Sequence, residues 1–177
     1  MSDKFFIRPA TSGDVEIVAD LSARTFVSAY KTMLPDEALG DFVDSAFSQN
    51  KIREEMDIPG SHFLLAYEGE TLVGYAFLRE AGPPTGVTGA KPVELARIYF
   101  EGHVTGKGYG SMLMNACIDR AIQAGYDVLW LGVWERNERA IRFYEKRGFV
   151  QVGSLPFVFG DQLHTDLVMA RLLQQSI

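Results

Sequence analysis

The sequence predicts one α/β domain with a mixed central sheet, and three observations carry that prediction. Short apolar runs of strand length alternate with amphipathic helical segments. Some of the strands are joined by tight turns, so the sheet is mixed rather than purely parallel. The chain has 177 residues, 47% of them apolar, which is enough for one core and too short for two comfortable ones. Residues 1–177 are therefore read as a single domain, with no repeat, linker or low-complexity tract.

The elements follow in order. Residues 4–8 form a short first strand ended by Pro9, and Thr11, Ser12 and Asp14 offer N-caps for a helix with Glu16 in its first turn. Val15, Val18, Ala19, Leu21 and Phe26 keep a helical period to about Tyr30. Pro35 opens a second helical region with Phe42, Ala46 and Phe47 on its apolar side, and residues 50–56 make a further turn or helix. Residues 62–67 and 71–79 flank "EGE", a hairpin signal. Residues 81–92, AGPPTGVTGAKP, read as a long irregular excursion on the surface. Residues 93–100 are strand, 110–125 helix closed by a glycine, and 128–134 strand. A helix over 138–147 is closed by Gly148, and residues 149–159 and 163–172 form a final antiparallel pair.

Composition excludes several function classes. Seventeen basic against twenty-three acidic side chains give a net charge of −6, which argues against a nucleic-acid binder because phosphate neutralisation needs a basic face. The same charge suits a cationic small substrate. Cys117 is the single cysteine, so no internal disulfide forms and a reducing cytoplasm is the expected home. No apolar run approaches the roughly 20 residues of a membrane span, and MSDKFFIRPA lacks a signal-peptide apolar region. His62, His103 and His164 are scattered, with no spacing that marks a metal site.

Residues 103–111, HVTGKGYGS, place Gly106, Gly108 and Gly110 at every second position between a strand and a helix. Each glycine raises the entropy cost of folding and adds no packing. A Walker loop needs G-x-x-x-x-G-K-[ST]. Counted from Gly102, the second glycine comes one residue early and Gly108 stands where the hydroxyl belongs. A dinucleotide loop needs G-x-G-x-x-G after the first strand, whereas this loop is G-x-G-x-G after the fourth. Two readings remain. One is a tight turn needing positive φ; the other is a cradle of main-chain N–H groups for a pyrophosphate, backed by the following helix and by Lys107. A turn alone needs one glycine, not three.

Residues 131–149, LGVWERNERAIRFYEKRGF, leave a strand and enter a helix through Asn137. Tyr144 shares a helix face with Ala140 and Ile141, so it reads as a core aromatic as well as a functional one. Asn137 reads equally as an N-cap.

Together the two segments resemble the GNAT superfamily of acetyl-CoA-dependent N-acetyltransferases. The family's loop, [QR]-x-x-G-x-[GA], aligns with residues 105–110 and departs at Thr105, which removes one side-chain contact and leaves the backbone cradle. Its "N…A…FYEK.GF" segment aligns with residues 137–149. "ELARIYF" and "FGDQLHTDLVM" are similar to the PaiA-like branch, associated with polyamine acetylation. The resemblance implies a single-domain sheet of about seven strands flanked by about four helices. In it, two parallel strands, residues 93–100 and 128–134, splay to admit acetyl-CoA.

The same resemblance implies roles. Ile98, Tyr99 and Phe100 offer backbone groups to the pantetheine arm. Thr105, Gly106, Lys107, Gly108, Tyr109, Gly110 and Ser111 hold the pyrophosphate, with Asn137 and Lys146 as further cofactor contacts, and no metal is expected. An attacking alkylamine has a pKa near 10.4, so a base must take its proton; Glu94 is the first candidate and Glu135 the second. Tyr144 donates a proton to the leaving thiolate. That transfer is uphill by roughly 2 kcal/mol at ordinary pKa values, small beside the barrier. Cys117 invites a covalent route but lies inside a helix without a nearby histidine, and reads as core.

The two tryptophans, Trp130 and Trp134, face the same way on one strand, and Trp134 borders the acceptor cleft in this reading. In this family the first two helices wall the acceptor site, so Asp36, Glu37, Asp41 and Asp44 would attract a cation. The expected function is transfer of an acetyl group to a primary amine, such as spermidine, by direct attack in a ternary complex. The alternatives are a peptide or protein amine as acceptor, or a non-catalytic acyl-CoA-binding module. Neither nucleic acid nor membrane is an expected partner, and self-association into a homodimer is allowed.

Overall fold

Among the described residues, seven strands and five α-helices form from the alternation of apolar runs and amphipathic segments. The structure is a computed structural model that describes residues 4–174; residues 1–3 and 175–177, the ends of the expected domain, lie outside the described residues. In chain order the elements are β1 (Phe5–Pro9), α1 (Val15–Tyr30), α2 (Asp36–Ala46), α3 (Gln49–Asp57), β2 (His62–Glu68), β3 (Thr71–Arg79) and β4 (Pro92–Phe100). They continue as α4 (Tyr109–Gln123), β5 (Val128–Trp134), α5 (Glu138–Glu145), β6 (Val150–Phe159) and β7 (Gln162–Leu172). The segment read as a turn or a helix is thus the helix α3, begun by Ser48, whose side chain accepts from the Lys51 N–H. The strands hydrogen-bond in the order β1-β2-β3-β4-β5-β7-β6, a mixed sheet with β4 and β5 parallel.

The chain divides into two compact units, one running to Leu78 and including Arg97–Cys117, the other comprising Arg79–Ala96 and the chain from Ile118. Strand β4 and helix α4 each contribute to both.

In the first unit, β1 pairs antiparallel with β2 and β2 with β3, the latter through a turn in which Gly69 takes φ 61°. Helix α1 buries the expected stripe of Val15, Val18, Ala19, Leu21 and Phe26. Its entry is fixed by a capping box: Thr11 donates from N–H and Oγ1 to Asp14, and Arg8 forks onto the same carboxylate at 2.7 and 2.8 Å. The Arg8 guanidinium holds the Asp14 carboxyl well below the usual carboxylate range. Deeper in, Arg97 on β4 makes a bidentate pair with Glu55 on α3 at 2.7 and 2.8 Å, its guanidinium over the rings of Phe47 and Phe77. Burial pushes the neighbouring Tyr75 hydroxyl up to about 12.

In the second unit, β5 pairs antiparallel with β7 and β7 with β6. The parallel ladder joins Pro92, Val93 and Glu94 to Val128, Leu129 and Trp130. It ends there although both strands run on, to Phe100 and Trp134. The loop before β4 runs along the surface as expected, most of its residues exposed, but it sends one side chain inward. Val87 joins Val128, Trp130, Val168 and Ala170 in a buried cluster, and the Asp127 carboxylate accepts from the N–H groups of Ala90 and Lys91 at 2.6 and 2.9 Å. Helices α4 and α5 are closed by Gly125 and Gly148, both at φ 80°, as their sequence positions predict.

Candidate active site

Strand β4 delivers the chain to the glycine loop in the first unit. After Phe100, a 3₁₀ turn over Gly102–Val104 buries Val104, and the loop then rises into α4 at Tyr109. Gly106 and Gly108 adopt φ 88° and 83°, the left-handed region that costs other residues about 1–2 kcal/mol. A Cβ at either position would meet no atom within 4 Å. Their backbone conformation is therefore special while the space in front of it is open. Gly110, by contrast, lies in the first turn of α4 and is not among the positive-φ glycines. The carbonyl of Gly108 accepts from the Ser111 and Met112 N–H groups at 3.1 and 3.3 Å, the first bonds of α4, so the loop runs straight into the N-terminus of that helix. Left-handed residues beside right-handed ones turn successive N–H groups toward one concavity, which suits an anion.

Lys107, expected to bring charge to that concavity, directs its ammonium elsewhere. Its Nζ donates to both carboxylate oxygens of Glu68 at 2.8 and 3.0 Å. Thr105 is exposed, and its N–H donates to the Gly102 carbonyl at 3.2 Å. Ile98, Tyr99 and Phe100 are half-buried on β4. Tyr99 lies 6.5 Å from the ring of Phe26 and 6.2 Å from that of Tyr75, and the ring of Phe100 fills the space a side chain at Gly74 would need. On α2, Asp36, Glu37, Asp41 and Asp44 are all exposed, while Phe42 turns inward to stack on Phe26 at 4.6 Å.

The second unit carries the remaining predicted residues. Glu94, half-buried, accepts from the Arg79 guanidinium through Oε2 at 2.6 Å. Glu135 is exposed, its N–H donating to the Thr165 carbonyl. Asn137 does serve as the N-cap of α5, its Oδ1 accepting from the Ala140 N–H at 3.2 Å, which leaves its amide group to donate. Tyr144 is half-buried rather than core, edge-on to Phe143 and Phe149 at 5.4 and 5.8 Å. Lys146, just past α5, is exposed. Asp166, directly across from Trp134, was not foreseen; burial pushes its carboxyl above the ordinary range.

Cys117 is fully buried in the first unit, and burial drives its thiol far above its usual value, so it supplies no thiolate. Among the described residues, no group of three or more His, Cys, Asp and Glu side chains is placed to hold a metal ion. None of the described helices is long and apolar enough to cross a membrane.

The chain is similar in sequence and in fold to known proteins. Residues 24–149 match the acetyltransferase (GNAT) family. An uncharacterised N-acetyltransferase of Mycobacterium tuberculosis is 32% identical over 160 residues, covering 90% of this chain and 98% of the relative. The fold is similar to that of the PaiA N-acetyltransferase from Thermoplasma acidophilum, solved in complex with coenzyme A. The TM-score is 0.78 at 21% identity, over 96% of this chain and 99% of that one. The spermidine/spermine N-acetyltransferase SpeG from Vibrio cholerae aligns with a TM-score of 0.69 at 19% identity, over 96% and 94%. The chain belongs to the GNAT acetyltransferase family. It is accordingly an acyltransferase, and its reaction class is N-acetyl transfer.

Proposed function

We propose that this protein, as one domain over residues 1–177 and in the cytoplasm, transfers the acetyl group of acetyl-CoA to a primary amine. The acceptor we assign is a polyamine such as spermidine, attacking directly in a ternary complex. The observation that carries the cofactor assignment is the open left-handed loop at Gly106 and Gly108, where a Cβ would occupy the space an anion needs. Main-chain N–H groups at the start of α4 supply the donors, and the helix dipole favours the negative charge. Bound there, acetyl-CoA supplies an activated thioester. The backbone of Ile98, Tyr99 and Phe100 offers hydrogen bonds to its amide-bearing arm, and the Asn137 amide offers another. The polyamine assignment draws on the PaiA-like segments, the −6 charge and the exposed acidic run of α2. It draws also on the fold likeness to SpeG, a spermidine/spermine N-acetyltransferase.

In this mechanism Glu94 takes a proton from the acceptor's ammonium, and the neutral amine so formed attacks the thioester carbonyl. Glu94 Oε2 is engaged by Arg79, which fixes the carboxylate and leaves Oε1 to accept. The Tyr144 hydroxyl protonates the departing thiolate, and the edge contacts of Phe143 and Phe149 set its ring.

Incubation with acetyl-CoA and a mixed panel of polyamines, amino acids and peptides tests the proposal by thiol release and product mass. Acetylspermidine is the expected product. Acetylated peptides without acetylspermidine would move the acceptor to a peptide amine. Normal CoA binding without any thiol release would leave a regulatory acyl-CoA module.

A further inference from the structure

Phe5 and Glu68 stand directly opposite one another in the β1–β2 register, and both reach the same tyrosine. The Phe5 ring stacks on Tyr109 with centroids 4.0 Å apart and planes 15° from parallel. Glu68 accepts a hydrogen bond from the Tyr109 hydroxyl. The same carboxylate takes both donations from Lys107, whose ammonium lies 5.8 Å from the Tyr109 ring centroid. The β1–β2 pair is closed beside this cluster by the Gly69 N–H donating to the Lys4 carbonyl at 3.1 Å. Lys107 and Tyr109 are the two neighbours of Gly108. A single cross-strand pair therefore grips the loop on both sides of the left-handed Gly108.

Charge sets what Lys107 can do. An ammonium seated on both oxygens of a carboxylate has its field compensated locally, and the two donations hold Glu68 below the usual carboxylate range. A formal cation beside the loop is thus replaced by a neutral pair, while the main-chain donors keep their orientation. We propose that Glu68 is a positioning residue for the cofactor loop, acting through Lys107 and Tyr109, and that Lys107 staples the loop instead of binding phosphate. This rests on the reading that the loop receives the pyrophosphate of CoA. Recognition is then left to backbone N–H groups, whose geometry Glu68 and Phe5 maintain from the sheet.

Calorimetric titration with CoA, paired with steady-state kinetics, tests this on wild type, Glu68→Ala, Lys107→Met and their double variant. Each single change is expected to raise the CoA Kd and the acetyl-CoA KM about three- to tenfold. The kcat and the acceptor KM should stay near wild type. The double variant should be no worse than Glu68→Ala, since both break one link. Glu68→Gln, which keeps an acceptor oxygen, should restore part of the affinity, and Tyr109→Phe, which keeps the stack, should lose less than Glu68→Ala. Lys107→Met should leave the salt dependence of CoA binding unchanged.

Tighter CoA binding by Glu68→Ala overturns the proposal, because it means that the carboxylate competes with phosphate for Lys107. Wild-type affinity in Glu68→Ala, additive losses in the double variant, or a flattened salt dependence in Lys107→Met overturn it too. Gly108→Val separates this from the reading beneath it. If that variant binds CoA like wild type, the loop is not the cofactor site. If it loses binding while Glu68→Ala does not, only the positioning role fails.

Discussion

At Gly86, in the loop before β4, an added Cβ would overlap the carbonyl oxygen of Val152; at Gly108, in the loop before α4, it would meet nothing within 4 Å. Both glycines are left-handed, at φ 100° and 83°. Gly89 repeats the first pattern, with a Cβ 2.6 Å from Val128 Cγ2, and Gly106 repeats the second. The first loop spends its glycines on close approach, to the Val152 backbone at Gly86 and to the Val128 and Asp127 side chains at Gly89, while Val87 reaches the core beside Trp130. The second spends them on shaping main chain that no part of its own surroundings fills. Glycine content does not tell these loops apart; the space in front of each Cα does.

The largest expected effect breaks the first loop. Gly86→Val combines a disallowed φ with a clash against a carbonyl that cannot swing away, and should cost about 3 kcal/mol or more in chemical denaturation. A variant with wild-type stability would mean that the loop is as open as the one before α4. Tyr144 poses the same division between packing and chemistry in one side chain. Tyr144→Phe keeps the edge contacts with Phe143 and Phe149 and deletes the hydroxyl. Turnover at saturating acceptor should fall about a hundredfold with CoA affinity nearly level. Unchanged kcat would return Tyr144 to a packing role.

Asp14 sharpens the contrast from the structural side, since its partners Arg8 and Thr11 belong to its own unit. Asp14→Asn should cost about 1–2 kcal/mol. Its carboxyl is depressed in the folded protein relative to about 3.9 in the unfolded chain, so the unfolded state takes the proton first. The stabilisation is therefore complete above that value and is lost as pH falls below it. Wild type should show this acid loss and Asp14→Asn should show less of it. The smallest effect concerns the acceptor. Neutralising Asp41 and Asp44 together should raise the spermidine KM only about two- to fivefold, because exposed charges act weakly and are screened within about 8 Å at physiological salt. A monocationic amine should change less, and equal changes for both amines would remove α2 from acceptor recognition.

Much of this was legible in the sequence because regular structure advertises itself locally. The spacing of Val15, Val18, Leu21 and Phe26 reports one helix face, and Gly125 and Gly148 stop their helices where φ must turn positive. The two segments behind the family resemblance are equally local. The burial of Val87 within the loop before β4 was not legible, since periodicity reports burial only along helices and strands, and a run rich in Gly and Pro carries none. Pairs made across the fold were hidden for a related reason. Glu68 meets Lys107 across 39 positions, Arg97 meets Glu55 across 42, and Arg79 meets Glu94 across 15. No spacing rule connects such residues; the tertiary fold does. The same gap hid the partner of Lys107, a carboxylate at the end of β2.

Titration of Gly108→Val with CoA, beside a thermal melt of the same sample, tests the central claim most directly. The open space at this glycine predicts a folded protein that loses only about 1–2 kcal/mol to backbone strain, with CoA affinity reduced more than tenfold. A folded variant that binds CoA as tightly as wild type would contradict it, and would make the loop before α4 a turn and nothing more.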